Sequence, residues 1–210
     1  MIKGIDISNN NWGYLASHDF APLRDPNRFV MMKASEGVTY KDRCLDLYCT
    51  ILNNSFPDGR PIRDRLYGFY HFARPENNND PVAEALNFWR CVSAHAGHAV
   101  FALDVEGGAL TLSKAALDKW VMEWLTTIRD ISGGVKPLIY CSAAQTDRFP
   151  TAASNDFGLW VAKWSAKKPT KAEIKPWTLW AMWQDSNGGG ILDTDYFNGS
   201  PDQFRKYAAR

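Results

Sequence analysis

Apolar residues are concentrated in eight short segments that recur along the whole chain. Each segment is six or seven residues long, which is typical of buried β-strands rather than of helices. The predicted strands are Ile2–Ser8, Phe29–Ser35, Leu66–Phe72, Ala99–Val105, Lys136–Cys141, Leu159–Trp164, Thr178–Gln184 and Ile191–Phe197.

The segments between the early strands show helical spacing. Asp42–Asn54 has this periodicity, Asp80 and Pro81 are an N-cap and first-turn proline for a helix to about Ala96, and Ser113 caps a helix that ends at Ile131. Short helices are also predicted over Ala143–Phe149 and Asp202–Ala209. No long helix is predicted between the last three strands.

Strands that alternate with helices favour parallel βαβ units, and eight strands favour closure into a TIM-like α/β barrel. The chain has 210 residues and shows no linker, repeat or low-complexity tract. We therefore expect residues 1–210 to form one catalytic domain.

Polar or aromatic residues stand at the end of every predicted strand. In a barrel of this kind these positions surround the active site, and a buried charge costs several kcal/mol unless it is paired or functional. The residues concerned are Asp6, Lys33, Glu36, Tyr70, His71, Asp104, Glu106, Tyr140, Trp160, Trp183, Gln184 and Asp193. They predict a single cleft lined by carboxylates and aromatic rings.

Asp104 and Glu106 are the most informative pair. Residues i and i+2 of a strand face the same side, about 6.6–6.8 Å apart, and crowded carboxylates raise at least one pKa. A proton donor beside an ionised carboxylate is the arrangement used in glycoside cleavage. Spacing alone leaves open a structural ion pair, for instance with Lys33. It also leaves open a Mg²⁺ or Ca²⁺ site made by Asp6, Asp104, Glu106 and Asp193.

Composition and charge narrow the range of functions. The net charge of +1 argues against a nucleic-acid partner, and no window is apolar enough to cross a membrane. The four cysteines, Cys44, Cys49, Cys91 and Cys141, fit no zinc pattern and are expected to be buried thiols, although a Cys44–Cys49 disulfide stays open. Among the four histidines only His71 is near a strand end, where we expect a hydrogen-bonded core residue. The N-terminus shows no signal-peptide run, so synthesis in the cytoplasm is expected.

Eight stretches of the chain resemble, in order, the glycoside hydrolase family 25, the Chalaropsis-type lysozymes. They are GIDIS, FVMMKASEG, YGFYHFARP, FALDVEG, PLIYCS, LWVAKW, WAMWQDS and LDTDYFNG. The resemblance implies a (β/α)₅(β)₃ barrel without metal or cofactor. It also implies hydrolysis of the β-1,4 bond between N-acetylmuramic acid and N-acetylglucosamine in peptidoglycan. Whether the anomeric configuration is retained, with the N-acetyl group of the substrate assisting, is left open by the sequence.

The resemblance also assigns roles to individual residues. It makes Glu106 the general acid and adds Asp104, Asp6 and Asp193 as catalytic residues. The expected substrate-binding residues are Lys33, Glu36, Tyr70, Tyr140, Trp160, Trp183, Gln184 and Asp195. Two features depart from the family pattern: a short connection from Gln184 to Asp193, and Asp195 where the family more often has Asn. We favour Asp193 as the late acid and expect both side chains to share one face of the strand.

Two alternatives use the same carboxylates: a barrel that binds peptidoglycan without cutting it, and a metal-dependent hydrolase. The expected partner is the peptidoglycan glycan strand, bound by a monomer that neither binds nucleic acid nor inserts into the membrane. A wall-degrading enzyme of this size without a signal peptide suggests a phage endolysin that reaches the cell wall through a membrane lesion.

Overall fold

Eight strands form a closed barrel in the computed structural model, which describes residues 1–54 and 65–208. The strands of the sheet are β1 (Ile2–Ile7), β2 (Arg28–Glu36), β3 (Tyr40–Lys41), β4 (Tyr67–Phe72), β5 (Ala99–Asp104), β6 (Leu138–Ser142), β7 (Leu159–Ala162), β8 (Met182–Ser186) and β9 (Asp193–Phe197). Because β1 pairs with both β2 and β9, the sheet closes on itself, and the two-residue β3 is attached outside the ring to the end of β2.

In the barrel, β1, β2 and β4 through β8 run parallel to one another, whereas β9 runs antiparallel to both β8 and β1. The β8–β9 connection is short enough to form a hairpin, so β9 enters the barrel from the end at which β8 leaves it. The closed α/β barrel predicted from the sequence is thereby confirmed. The (β/α)₅(β)₃ division and the single domain over residues 1–210 stay predictions.

Helices of very unequal length surround the barrel. They are α1 (Trp12–Ser17), α2 (Ala21–Arg24), α3 (Leu45–Asn53), α4 (Pro81–Val92), α5 (Lys114–Ile131), α6 (Pro150–Ser154) and α7 (Pro201–Tyr207). Asp80 caps α4 by accepting hydrogen bonds from the N–H groups of Val82 and Ala83, and the Ser113 hydroxyl caps α5, as expected.

Several element boundaries differ from the sequence prediction. The helix predicted from Asp42 begins at Leu45, because the Asp42 carboxylate accepts the backbone N–H of Cys44 and holds this stretch in a turn. The segment predicted as one short helix is a 3-10 helix, Ala143–Arg148, followed by α6. The seventh barrel strand starts at Met182 rather than at Thr178.

The interior of the barrel is filled by alternate residues of the strands. Phe29, Met31 and Phe197 lie in this inner layer, and Phe204 of α7 packs against Phe29 and Phe197 with ring centroids 5.3 and 5.1 Å apart. A Cβ at Gly4 would lie 2.3 Å from the Phe29 ring, so only glycine leaves room for that ring. These aromatic residues and α7 close the end at which β1 begins, and the polar residues are left at the opposite end.

Two further sequence predictions concern features away from the mouth. All four cysteines are buried and free, as expected. Within residues 1–54 and 65–208, no helix is both long and apolar enough to span a membrane.

Candidate active site

A cleft of about 280 Å³ opens at the carboxyl ends of the parallel strands. It is lined by Asp6, Ser8, Asn10, Asn11, Lys33, Tyr70, Phe72, Asp104, Glu106, Tyr140, Trp160, Gln184, Gly190 and Asp193. Nine of the twelve residues predicted from the sequence are therefore brought together, although they lie up to 187 positions apart along the chain. Glu36, Trp183 and Asp195 do not line this cleft.

Asp193 reaches the cleft by a route that was not predicted. It was placed at the end of the eighth strand, but it is the first residue of β9 and stands opposite Asp6 of β1. The side chain lies at the mouth because β9 is antiparallel and begins where the other strands end. Asp195 follows two residues later on the same face, opposite Gly4, and is therefore one level deeper in the barrel.

Gln184 of β8 links the acids to one another. Its Nε2 donates to Asp6 Oδ2 at 2.8 Å and to Asp193 Oδ2 at 3.2 Å. Its Oε1 accepts from the Tyr140 hydroxyl and from Trp164 Nε1, both at 2.9 Å. Two donors at the oxygen fix the orientation of the amide, so its NH₂ group faces the two carboxylates.

Burial dominates the electrostatics of this acid group. It raises the pKa of Asp6 to about 7, with a further contribution from the charge of Asp193, and the hydrogen bond from Gln184 opposes the shift only in part. Burial also raises the pKa of Asp193. Asp6 therefore exchanges its proton near neutral pH rather than near pH 4, and Asp193 holds its proton more strongly than a free side chain does.

Asp104 and Glu106 occupy different depths in the cleft. Asp104 ends β5 and is 7% exposed, whereas Glu106 lies just beyond the strand in extended backbone and is exposed. Burial and the charge of Glu106 raise the pKa of Asp104 well above its usual range. The pKa of Glu106 is also raised, first by desolvation inside the cleft and then by Asp193, while Lys33 opposes both shifts. The pair therefore holds a proton readily, and Glu106 is the member that a ligand can reach.

The alternative of a structural ion pair between Lys33 and Asp104 or Glu106 is not what the structure shows. Lys33 Nζ donates instead to Glu36 Oε2 at 2.6 Å, and Arg74 Nε donates to Glu36 Oε1 at 2.7 Å. Burial alone would raise the pKa of Glu36, but the hydrogen bonds from Lys33 and Arg74 outweigh it and lower the pKa. Throughout the described residues, Asp104 and Glu106 form no salt bridge.

Aromatic side chains enclose the cleft from one side. Tyr140 and Trp160 meet edge to face with centroids 4.8 Å apart, and Tyr70 meets Trp160 at 6.0 Å. Trp160 is almost fully buried, and its Nε1 donates to Asp195 Oδ1 at 2.8 Å. Trp160 thus contributes a hydrogen bond as well as a wall.

The expectation that Trp183 forms part of the groove wall is wrong. Met182 and Gln184 face the barrel interior, so Trp183 between them faces outward. It is 3% exposed, stacks on Tyr196 at 5.5 Å, and donates from Nε1 to the carbonyl oxygen of Lys163.

Two further cavities, which were not predicted from the sequence, continue the cleft on either side. A cavity of about 510 Å³ shares Asn10 and Lys33 with the cleft and contains Glu36 and Arg74. A cavity of about 410 Å³ shares Glu106 and Tyr140 with the cleft and is otherwise mainly apolar, with Leu110 and the 61% exposed Trp164. The three cavities form one groove with Glu106 near its middle. The signal for Trp164 was its place two residues beyond β7, where side chains reach the mouth.

One further cluster of polar residues, around His71, is not part of the groove. His71 bonds to Ser35 Oγ and to Glu84 Oε2, each at 2.8 Å, and all three side chains are fully buried. Burial lowers the pKa of His71 despite Glu84, so this is the hydrogen-bonded core histidine expected from the sequence. Over the parts of the chain that are described, no group of three or more His, Cys, Asp or Glu side chains is placed to hold a metal ion.

A closed α/β barrel with an acid-lined groove at the carboxyl ends of its strands is an arrangement that suits a glycoside hydrolase. Residues 5–194 match the sequence model of Glycosyl hydrolases family 25, and the chain therefore belongs to this family. The matched region runs from the residue before Asp6 to the residue after Asp193, and so includes all the acids of the groove.

Individual relatives agree with this assignment. An N,O-diacetylmuramidase from Arthroderma benhamiae is 28% identical over 226 residues, covering 99% of this chain and 86% of the relative. An autolytic lysozyme from Clostridium acetobutylicum is 28% identical over 174 residues, covering 80% of this chain and 47% of the relative. Among solved structures, a family GH25 lysozyme from Aspergillus fumigatus is 26% identical with a TM-score of 0.74, covering 100% of this chain and 99% of that one.

Proposed function

We propose that the protein is a lysozyme, an N-acetylmuramidase that hydrolyses the β-1,4 bond between N-acetylmuramic acid and N-acetylglucosamine in bacterial peptidoglycan. The observation that carries the proposal is Glu106, an exposed carboxyl with a raised pKa at the middle of a groove, two residues from the buried Asp104. The family assignment and the names of the muramidase and lysozyme relatives support the same substrate.

Glu106 is the proton donor in this proposal. When the bond between the sugar carbon and the glycosidic oxygen breaks, the electron pair of that bond stays on the oxygen. The oxygen takes the proton from Glu106. The carboxyl group of Asp104 lies deeper in the cleft than that of Glu106 and is too buried to reach the glycosidic oxygen. Desolvation and the charge of Asp193 keep Glu106 protonated, and the role of Asp104 is to stabilise, in its ionised form, the positive charge that develops on the sugar.

Asp6 and Asp193 serve the opposite side of the reacting sugar. Gln184 holds both carboxylates with one amide group, so they present a pair of acceptors at a fixed separation. Such acceptors bind the N–H of the acetamido group so that its carbonyl oxygen faces the sugar carbon, or they bind the attacking water and direct its oxygen to that carbon, where the new bond forms. In both cases the reaction needs only groups that the chain and the substrate supply.

The groove matches a linear glycan in shape and in polarity. Its three cavities extend on both sides of Glu106, as an enzyme that cuts within a strand requires. The indole of Trp164 and the side chain of Leu110 give an apolar surface for a sugar face, whereas Lys33, Glu36 and Arg74 give charged hydrogen-bonding groups at the other end.

Mass spectrometry of purified peptidoglycan digested with the protein tests this function. We expect fragments with N-acetylmuramic acid at the new reducing end, in undiminished amount after EDTA treatment. New reducing ends on N-acetylglucosamine would indicate a glucosaminidase, and free stem peptides would indicate an amidase. Intact glycan that co-sediments with the protein would indicate a binding barrel, and loss of cleavage in EDTA would indicate a metal-dependent hydrolase. Each of these outcomes would overturn the proposal.

The cellular setting and the assembly belong to the proposal as well. We propose that the enzyme acts as a monomer on the cell wall, that residues 1–210 form one catalytic domain without a nucleic-acid or membrane-inserted partner, and that release follows an endolysin-type route through a membrane lesion. Light scattering after size-exclusion chromatography checks the monomer. Wall lysis that starts only when a pore-forming protein is co-expressed checks the release.

A further inference from the structure

Asp195 is an acid in an unusual place. It is 1% exposed, it does not line the groove, and its Oδ1 accepts the indole N–H of Trp160 at 2.8 Å. No N–H or O–H group in the described part of the chain donates to its other oxygen, Oδ2, although the carboxyl of Asp6 lies within hydrogen-bonding reach of Asp195. Asn is more common at this position in glycoside hydrolase family 25, and its amide would have an N–H group where Asp195 has this second oxygen.

The groups that surround Asp195 include two acids and no cation. From β1 the neighbour is Asp6, from β9 it is Asp193, from β7 it is Trp160, and the phenol of Tyr140 lies on β6. Within the described residues no Lys, Arg or His forms an ion pair with Asp195, and Lys33 acts on Asp104 and Glu106 instead. Two adjacent buried carboxyl groups without a cation cannot both be ionised without a large cost, so they share a proton.

We propose that Asp195 is a positioning residue that keeps a proton and donates it in a hydrogen bond to the carboxylate of Asp6. The proposal rests on the proposed function and names a residue that acts through Asp6 without touching the substrate. Asp6 then receives one hydrogen bond from Gln184 and one from Asp195, so its carboxylate stays ionised and fixed toward the groove.

The two proton affinities differ in the required direction. Burial raises the pKa of Asp195 well above its usual range, and the negative charge of Asp6 raises it further, although the Trp160 N–H opposes this. The pKa of Asp6 is raised only to about 7, because hydrogen bonds from Gln184 and Asp195 stabilise its ionised form. The first carboxyl to lose its proton is therefore Asp6, and Asp195 remains a donor.

Asparagine is a permanent copy of the protonated aspartic acid. In Asp195→Asn the amide oxygen still accepts from Trp160 and the NH₂ group donates to Asp6. We expect kcat/KM to stay within about threefold of the wild-type value, with the acidic limb of its pH profile unmoved. Asp195→Val keeps the bulk but removes the donor, so the acidic limb, which reports ionisation of Asp6, should move to higher pH by about one unit. A purely structural role would lower activity equally at every pH.

Infrared spectroscopy reads the proton directly. At pH 8 the wild-type protein should show an absorption of a protonated carboxyl group that is lost in Asp195→Asn and kept in Asp130→Asn, which alters an exposed acid on α5. An unchanged spectrum, or an acidic limb that moves to lower pH in Asp195→Asn, would mean that Asp195 is ionised and would overturn the proposal. The spectrum decides the question even if Asp195→Val does not fold or if the wild type does not cleave peptidoglycan, in which case the proposed function alone fails.

Discussion

The mouth of the barrel has two sides that treat buried charge in opposite ways. On the paired side (Lys33, Glu36, His71, Arg74 and Glu84), each carboxylate has a cation or a histidine within hydrogen-bond distance. On the acid side (Asp6, Asp104, Glu106, Asp193 and Asp195), the hydrogen-bond donors are neutral groups, the amide of Gln184 and the indole of Trp160.

This difference separates stability from chemistry. A buried acid with a full set of donors holds strands and helices together, as Glu84 does between β4 and α4. A buried acid without a cation costs folding free energy, but its pKa moves into the range where it gives and takes protons during a reaction. Substitutions on each of the two sides test this division.

Glu106→Gln removes the proton donor of the acid side. We expect turnover to fall by about 10²- to 10⁴-fold, because general acid catalysis contributes on that order, while the melting temperature stays close to wild type. Lysis of purified cell walls and thermal unfolding measure the two quantities. Glu123→Gln, the same change at an exposed position of α5, is the matched control and should alter neither. Near wild-type lysis by Glu106→Gln would show that another group is the donor.

Glu84→Gln should have the opposite effect, because it belongs to the paired side. Glu84 accepts from His71 Nε2, from the backbone N–H of Arg74 and from Asn79 Nδ2, and an amide cannot accept at both ends. We expect the free energy of unfolding, measured in urea, to fall by about 2–3 kcal/mol. Turnover per folded molecule at low temperature should stay within a few-fold of wild type. A stable but inactive variant would contradict the division between the two sides.

Asp6→Asn should change how stability depends on pH. The pKa of Asp6 is about 7 in the folded protein against 3.8 for the free side chain, so the folded state binds more protons between these values. Its contribution to stability is therefore complete below pH 3.8 and is lost as the pH rises to about 7. Asp6→Asn does not suffer this loss.

We expect the free energy of unfolding in urea at pH 7.5 to be roughly 1–2 kcal/mol higher for Asp6→Asn than for wild type, a difference that stays small because Asp193 takes up part of the proton that Asp6 gives up. The two proteins should be nearly equal in stability at pH 4. Asp130→Asn, at an exposed site, should follow the wild-type dependence. An equal difference at both pH values would show that the effect is one of packing.

Residues that interrupt an apolar strand were the part of the site that the sequence revealed best. Asp6, Asp104 and Glu106 stand where a buried strand should continue with apolar side chains, and chemistry is one of the few reasons for such a break. The closed barrel could also be predicted from the sequence, because eight strand patterns that alternate with helices are compatible with few other folds.

Other features depend on register and direction, which hydrophobic pattern does not encode. Trp183 was misplaced because the pattern did not show which face of β8 it occupies: Met182 and Gln184 face the barrel interior, and Trp183 between them faces outward. The reversal of β9 depends on a short hairpin near Gly188, and it gives Asp193 its place. The link made by Gln184 requires residues 178 positions apart to be within 2.8 Å, which no local pattern reports.

The antiparallel course of β9 also decides where the chain is accessible for engineering. Ile2 at the start of β1 pairs with Phe197 at the end of β9, and α7 packs beneath them through Phe204. Both ends of the barrel sequence thus emerge on the face opposite the groove. A bead, a dye or a second protein attached at either end would lie on the side away from the acids. The groove of the attached enzyme would then stay free to bind an insoluble polymer.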